Sequence, residues 1–172
     1  MTSPRTFLIL AVAMGLSACA GGFRGDGAGS GGYGSGTGAG AGAGMGVYDP
    51  ASPQYFNQTV GDRVFFAVDE STLSAEARAT LDAQADWLIR NPEYSAIVEG
   101  HADEQGTREY NLALGARRAS AARDYLVERG VADGRLRTVS YGKERPIEIC
   151  STEACYSKNR RAVTVISAGA SS

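Results

Sequence analysis

Glycine distribution is the feature that most constrains the fold of this chain. Most of its 23 glycines lie in the first third of the sequence. Residues 21–46 are about half glycine, interleaved with Ala, Ser and Thr. Such a segment has almost no apolar surface to bury, so it cannot offset the entropy lost on ordering. We therefore expect a disordered linker there and a folded core only in the sequence that follows.

Charge balance excludes one broad class of function. The 172 residues include 17 basic and 19 acidic side chains, for a net charge of −2, and nearly all of them follow residue 60. A protein with this balance lacks the broad basic field that attracts nucleic acid. We expect no nucleic-acid partner.

The N-terminal segment, residues 1–18, has the pattern of an export signal. Arg5 is its only charge, and residues 7–16 form an apolar run. That run is shorter than the about 20 residues needed to span a bilayer, but it suits a signal peptide. The segment leads into Leu16-Ser17-Ala18-Cys19, which resembles a bacterial lipobox and predicts a covalent lipid on Cys19. The alternative is an ordinary signal peptide with an incidental cysteine.

A lipid on Cys19 would make the glycine-rich segment a tether. Stable anchoring takes two lipid signals, which a diacylglycerol plus an amide-linked chain would exceed. The next residue is Ala20 rather than Asp, which by resemblance to lipoprotein sorting favours the outer membrane, with the domain in the periplasm. We expect residues 19–57 to be linker, with an r.m.s. reach of about 28 Å across its glycine-rich part. A low-complexity insertion without a role is the alternative.

One α/β domain is expected over residues 58–168, followed by a short tail at 169–172. Apolar patterning predicts strands near residues 63–68, 96–100, 137–141 and 162–166, and helices at 75–90, 108–129 and 153–157. This β-α-β-α-β-α-β order, α/β (α+β) in class, predicts a four-stranded mixed sheet with helices on it. Periodicity alone leaves the strand order open.

The second long helix has a predicted buried stripe. Its members are spaced three, four or seven residues apart, as one helical face requires: Leu112, Gly115, Ala119, Ala122 and Leu126. Gly130 is the expected end of this helix, because glycine readily adopts the left-handed conformation after a C-terminus.

Apart from Cys19, the predicted lipid site, the chain has two further cysteines, Cys150 and Cys155. In an oxidising periplasm they would form a disulfide, whose small loop contributes about 2 kcal/mol in the chain-entropy model. Two free buried thiols are the alternative. One histidine and two cysteines are a poor ligand set for zinc, so we expect no metal site.

The sequence with most functional information is VEGHADEQGTREYNLALGARRA, residues 98–119, where a strand ends, a polar loop follows and a helix begins. Loops at such junctions often carry binding residues. Asp103 lies in the loop, while Asn111 and Arg118 are two turns apart on one helix face, about 10.5 Å along the axis. An anion, an amide and a cation together suit a zwitterionic ligand.

The sequence also allows purely structural roles for Asp103, Arg118 and His101. Asp103 would also serve to cap the helix or to order its own loop. Arg118 would also serve in a buried ion pair with Glu99 or Glu104. His101, alone beside a strand end, is expected to be a hydrogen-bonded structural residue rather than a catalytic one.

Several motifs in order resemble the OmpA-like peptidoglycan-binding domain family: the run at 98–119, then VSYGKERP and YSKNRRAV. The resemblance covers residues 60–167. It implies an OmpA-C-like fold and a ligand, the diaminopimelate side chain of uncrosslinked peptidoglycan stem peptides. It further implies that Asp103 meets the ligand ammonium, Arg118 meets its carboxylate, and Asn111 orients the ligand or its loop.

The resemblance also implies supporting site residues. Asp69, after the first strand, lines the pocket partly through its backbone; Arg160 is a rim candidate; and Leu112 is a candidate apolar wall. One position departs from the family pattern, because Ala67 stands where the family often has an acidic residue. Any role of that carboxylate is therefore absent here.

Three classes of function are compared. A non-catalytic binding module agrees with the resemblance, which also implies TolB, a periplasmic propeller protein, and other Tol or OmpA-type envelope proteins as partners. A cell-wall hydrolase would need a metal set or an activated nucleophile, and the sequence contains neither pattern. A protein that binds only other envelope proteins is the third candidate. We predict a protein that is not an enzyme.

Overall fold

A four-stranded mixed sheet organises residues 48–168, the part of the chain that the computed structural model describes. The strands are β1 (Arg63–Phe65), β2 (Tyr94–His101), β3 (Leu136–Gly142) and β4 (Arg161–Ala168). Their order is β1-β4-β2-β3, with β4 antiparallel to both neighbours and β2 parallel to β3. The sheet confirms the predicted fold class and adds the strand order.

In this described part of the chain, four α-helices accompany the sheet: α1 (Pro53–Tyr55), α2 (Ala75–Arg90), α3 (Arg108–Glu128) and α4 (Glu153–Asn159). A π-helical segment, Phe56–Gly61, follows α1, and a 3₁₀ turn, Asp133–Arg135, precedes β3. The Ser74 hydroxyl caps α2 by accepting from the Ala77 amide at 3.1 Å. Within residues 48–168, no helix has the length and apolarity needed to cross a bilayer.

The domain begins earlier than predicted, so the expected linker boundary at residue 57 is wrong. Phe56 is fully buried and its ring lies 4.9 Å from that of Trp87. The Trp87 indole in turn donates to the Pro50 carbonyl at 2.7 Å. Burial of an aromatic ring stabilises the ordered chain, so residues 50–57 belong to the domain. The predicted signal peptide, Cys19, the glycine-rich segment and the tail lie outside the described residues.

The face that α3 buries also differs in part from the prediction. Leu112 is 48 % exposed, while Leu114 is buried. The remaining predicted stripe members are buried, together with two polar residues, Asn111 and Arg118. The sequence pattern predicted that Leu112 is buried, but the rotation of α3 buries the Asn111 amide and the Arg118 guanidinium instead.

Two glycines let α3 approach β2 closely. A Cβ added to Gly100 would lie 1.8 Å from the Gly115 carbonyl oxygen, and one added to Gly115 would lie 2.4 Å from the Ser140 hydroxyl. Real side chains do not approach backbone atoms this closely, so a larger residue would separate the helix from the sheet. Because the site residues lie on α3 and after β2, this spacing also positions the site.

Replacing Gly100 by alanine is therefore expected to destabilise the domain by about 1–3 kcal/mol, because the methyl group forces backbone movement in a packed core. Urea unfolding measures the change. Gly134→Ala is the matched control, since a Cβ there meets nothing within 4 Å. Equal stability of the two variants would contradict the packing argument.

Candidate functional site

A cleft lies where β1 and β2 end and α3 begins. It has a volume of about 230 Å³ and is lined by Val68, Asp69, Asp103, Gln105, Gly106, Tyr110, Asn111 and Leu114. The structure thus brings together three residues predicted from the sequence: Asp69, Asp103 and Asn111. Two carboxylates, an amide and apolar walls in a small space suit a compact polar group that carries a positive charge.

Asp103 is buried but keeps acceptor capacity. Its Oδ1 accepts from the backbone N–H of Gln105 at 3.2 Å, and its Oδ2 accepts from the Arg160 guanidinium at 3.1 Å. A carboxylate has about four acceptor positions, so two bonds leave room for a ligand donor. Asp103 also orders its own loop, as one alternative proposed, whereas the cap of α3 is Thr107, whose hydroxyl accepts from the Tyr110 amide.

The loop between β2 and α3 is held from both sides. Asn111 donates through Nδ2 to the Gln105 carbonyl at 2.7 Å. Lys143 donates through Nζ to the Gly106 carbonyl, also at 2.7 Å. Gly106 has a φ of +89°, a conformation that glycine adopts without strain. Asn111 therefore positions the loop that carries Asp103, in agreement with one of its two predicted roles.

Asp69 forms the opposite wall of the cleft. It has a φ of +59°, which is uncommon for a residue other than glycine but tolerated by aspartate. The Tyr110 hydroxyl donates to its carboxylate, and this hydrogen bond raises the pKa of Tyr110. Tyr110 and Leu114 were not predicted as site residues. Their spacing of four, one turn on the same helix face, is the signal that would have found them.

Arg118 lies beneath the cleft, fully buried. Its guanidinium donates to three carbonyl oxygens, of Ala67 at 3.1 Å, Glu70 at 2.7 Å and His101 at 2.9 Å. It joins the chain after β1 to the end of β2. Burial lowers its pKa to about 10, so it stays charged at neutral pH. Among the described residues it forms no ion pair with Glu99 or Glu104, the alternative left open by the sequence.

Besides the buried Arg118, two more predicted residues, Leu112 and Arg160, are absent from the cleft lining. Leu112 is exposed on another face of α3, and Leu114 supplies the apolar wall instead. Arg160 is 4 % exposed and is bonded to Asp103 and Glu153, so it is a buried neighbour of the site rather than a rim residue. Neither outcome has a local signal in the sequence, because both depend on how α3 and α4 pack against the rest of the domain.

A disulfide joins Cys150 and Cys155, whose Cα atoms are 5.8 Å apart. It closes the segment that leads into α4. Two side chains of this segment, Ser151 and Tyr156, donate hydroxyl hydrogen bonds to Glu104 at 2.9 and 3.0 Å. The disulfide-closed segment is thus attached to the loop that carries Asp103. Among the described residues, no cluster of His, Cys, Asp and Glu has the arrangement of a metal site.

His101 is buried beside the site without the hydrogen bonds that the sequence led us to expect. Neither ring nitrogen has a hydrogen-bond partner among the described residues, and Nε2 lies 3.6 Å from Glu99. Burial, followed by the positive charges of Arg161 and Arg145, lowers the pKa of His101 to about 4. The neutral imidazole is therefore the form that the fold favours.

Acid is expected to destabilise the domain through His101. Because its pKa is lower in the folded than in the unfolded chain, its stabilising contribution is complete above about pH 6.5 and is lost as the pH falls toward 4. The loss is about 2 kcal/mol between about pH 7 and pH 5. Urea unfolding at both pH values, compared with His101→Phe, measures it. An equal pH effect in the variant would contradict this assignment.

Comparison with known proteins defines the class of this fold and site. The OmpA family model matches residues 65–160. The chain belongs to the OmpA family. Solved structures with low sequence identity share the fold alone, such as the C-terminal domain of Helicobacter pylori MotB, at 22 % identity and a TM-score of 0.59, over 63 % of this chain and 86 % of that one.

Within this family, the chain is similar to peptidoglycan-associated lipoproteins. The one from Rhizobium meliloti is 60 % identical over 121 residues, 70 % of this chain and 69 % of the relative. That of Brucella abortus is 58 % identical, over 70 % of this chain and 72 % of the relative. The crystal structure of the peptidoglycan-associated lipoprotein from Burkholderia pseudomallei has 36 % identity and a TM-score of 0.64, covering 69 % of this chain and all of that one. These names designate lipoproteins rather than enzymes, in agreement with the predicted non-enzymatic class.

Proposed function

We propose that this chain is an outer-membrane lipoprotein that binds the diaminopimelate-containing peptide of peptidoglycan non-covalently. It thereby tethers the outer membrane to the cell wall, as part of the Tol–Pal system in envelope integrity and cell division. The observation that carries the proposal is the cleft in which Asp69, Asp103 and Asn111 meet above the buried Arg118. The names of the similar lipoproteins support an association with peptidoglycan.

The free end of a diaminopimelate side chain has an ammonium and a carboxylate on one carbon. Asp103, with acceptor positions still available, binds the ammonium, and Asp69 adds a second negative charge across the cleft. A guanidinium has five N–H donors, of which Arg118 uses three on backbone carbonyls. In this proposal the other two bind the ligand carboxylate, which requires the floor of the cleft to open on binding, since Arg118 is fully buried in the free chain. Leu114 contacts the methylenes between the two ends of the ligand.

Tethering requires an anchor at the other end of the chain. In this proposal the lipid on Cys19 inserts into the outer membrane, and residues 21–46 are the linker between the lipid and the domain. Each site needs only modest affinity, because many copies act together on one sacculus. TolB and other Tol or OmpA-type envelope proteins are the protein partners in this proposal.

A sacculus pull-down tests the proposed function. The purified full chain in mild detergent is incubated with peptidoglycan sacculi, pelleted, and challenged with free diaminopimelate. We expect the chain to pellet and the competitor to release it, while no soluble muropeptides appear. A folded chain that stays in the supernatant would reject the peptidoglycan ligand and leave protein partners such as TolB as the explanation. Release of muropeptides would instead indicate a hydrolase.

A further inference from the structure

Arg160 lies between two carboxylates, only one of which belongs to the cleft. It donates to Asp103 at 3.1 Å and to Glu153 at 3.3 Å, with a second, closer contact to Glu153. Its Nε also donates to the Phe66 carbonyl at 3.2 Å. The Arg160 side chain is 5 % exposed and that of Asp103 is 10 % exposed, whereas Glu153 is 65 % exposed. A largely exposed carboxylate is thus connected to the ligand-binding one through a buried cation.

The charges of this group determine what Asp103 can bind. Asp103 and Arg160 alone would form a neutral pair, and a buried neutral pair attracts an ammonium group weakly. With Glu153 the group of three has a net charge of −1. The hydrogen bond from Arg160 also lowers the pKa of Glu153, which keeps that carboxylate charged. Glu153 thereby offsets the positive charge that Arg160 places beside the cleft.

The position of Glu153 is fixed relative to the binding loop. It is the first residue of α4, inside the loop closed by Cys150 and Cys155. Ser151 of this loop and Tyr156 of α4 attach the segment to the loop of Asp103 by their hydrogen bonds to Glu104. Glu153 is therefore held against Arg160 but outside the cleft lining, so that it acts on Asp103 through the shared guanidinium.

We propose that Glu153 is a positioning residue that, through Arg160, keeps the Asp103 carboxylate available to a cationic group of the ligand. This inference rests on the proposed function and deepens it. It assigns part of the affinity for an ammonium group to α4, a segment outside the cleft. The expected contribution is charge rather than shape, because Glu153 does not line the cleft.

Calorimetric titration of the full chain with diaminopimelate tests the proposal, using Glu153→Gln, which removes the charge and keeps a similar shape. We expect affinity to fall roughly three- to tenfold at low salt, the range for one partly screened charge. Glu148→Gln is the matched control, because it removes the same charge from a nearby carboxylate that pairs with Lys158 at 3.0 Å instead. That variant is expected to bind like the wild type.

A second ligand separates charge from structure. With diaminopimelate acetylated on its amino groups, Glu153→Gln is expected to bind no more weakly than the wild type, because the ligand then carries only carboxylates, which a lost negative charge does not disfavour. Equal binding of unmodified diaminopimelate by the wild type and by Glu153→Gln would overturn the inference while leaving the proposed function intact. So would an equal loss in Glu148→Gln, or a loss of affinity in Glu153→Gln that persists with the acetylated ligand. Failure of the wild type to bind would reject the proposed function itself.

Discussion

Alanine at position 103 is expected to weaken binding to peptidoglycan sacculi by about ten- to a hundredfold. The substitution removes the carboxylate that accepts from the ligand ammonium, and one charge-assisted hydrogen bond contributes about 1.5–3 kcal/mol. It also frees the Gln105 amide, which is bonded to Asp103 at 3.2 Å, and so loosens the loop. The fraction of protein that pellets with increasing amounts of sacculi measures the change.

The fold is expected to survive this substitution. Arg160 keeps its bonds to Glu153 and to the Phe66 carbonyl, so no buried cation is left without a partner. Asp86→Ala is the control, because it removes an exposed carboxylate from α2, outside the cleft. A folded Asp103→Ala protein that pellets as well as the control would remove Asp103 from the site.

Replacing Arg118 by alanine is expected to lower the free energy of unfolding by about 3–5 kcal/mol. The change leaves the carbonyls of Ala67, Glu70 and His101 without their donor and removes the guanidinium from the Phe66 ring, which lies 5.2 Å away. Each unsatisfied buried acceptor costs about 1–3 kcal/mol, partly offset where water enters. Thermal unfolding should show a decrease in Tm of more than about 10 °C.

The neighbouring arginine provides the matched control for this prediction. Arg117 precedes Arg118 on α3, but its side chain is exposed, so Arg117→Ala removes the same charge without a buried network. Its expected effect is within about 0.5 kcal/mol. Similar stability of the two variants would show that the three carbonyl contacts of Arg118 do not hold the site together.

Local signals account for the elements that the sequence predicted well. The bounds of α2 agree with the prediction at both ends, because Ser74 caps its start and Asn91-Pro92 ends it. Both signals act over only a few residues. The first strand was predicted three residues too long for a different reason. After Phe65 the chain leaves the sheet, and the carbonyls of Ala67 and Glu70 bond to Arg118, 48 or more residues away. A local pattern contains no information about such a partner.

The residues of the candidate site also fall into two groups, those found from local sequence signals and those that depend on tertiary packing. Asp103 and Asn111 were found because a strand end, a polar loop and a helix start are adjacent in the chain. Arg160 was assigned to the rim and Leu112 to the wall, and both assignments failed. Each depends on the rotation of an element against the sheet, which several distant contacts determine together.

By itself the sequence determined the four strands, the helices α2 to α4, the fold class, the family and the residues around which the site is built. These follow from periodicity, caps and motifs that act over a few residues. Only the tertiary structure decided the strand order, the inclusion of Phe56 in the core, and the connection of Asp103 through Arg160 to Glu153. The physical reason is that burial and buried charge pairing depend on which distant segments meet, and no local pattern specifies that.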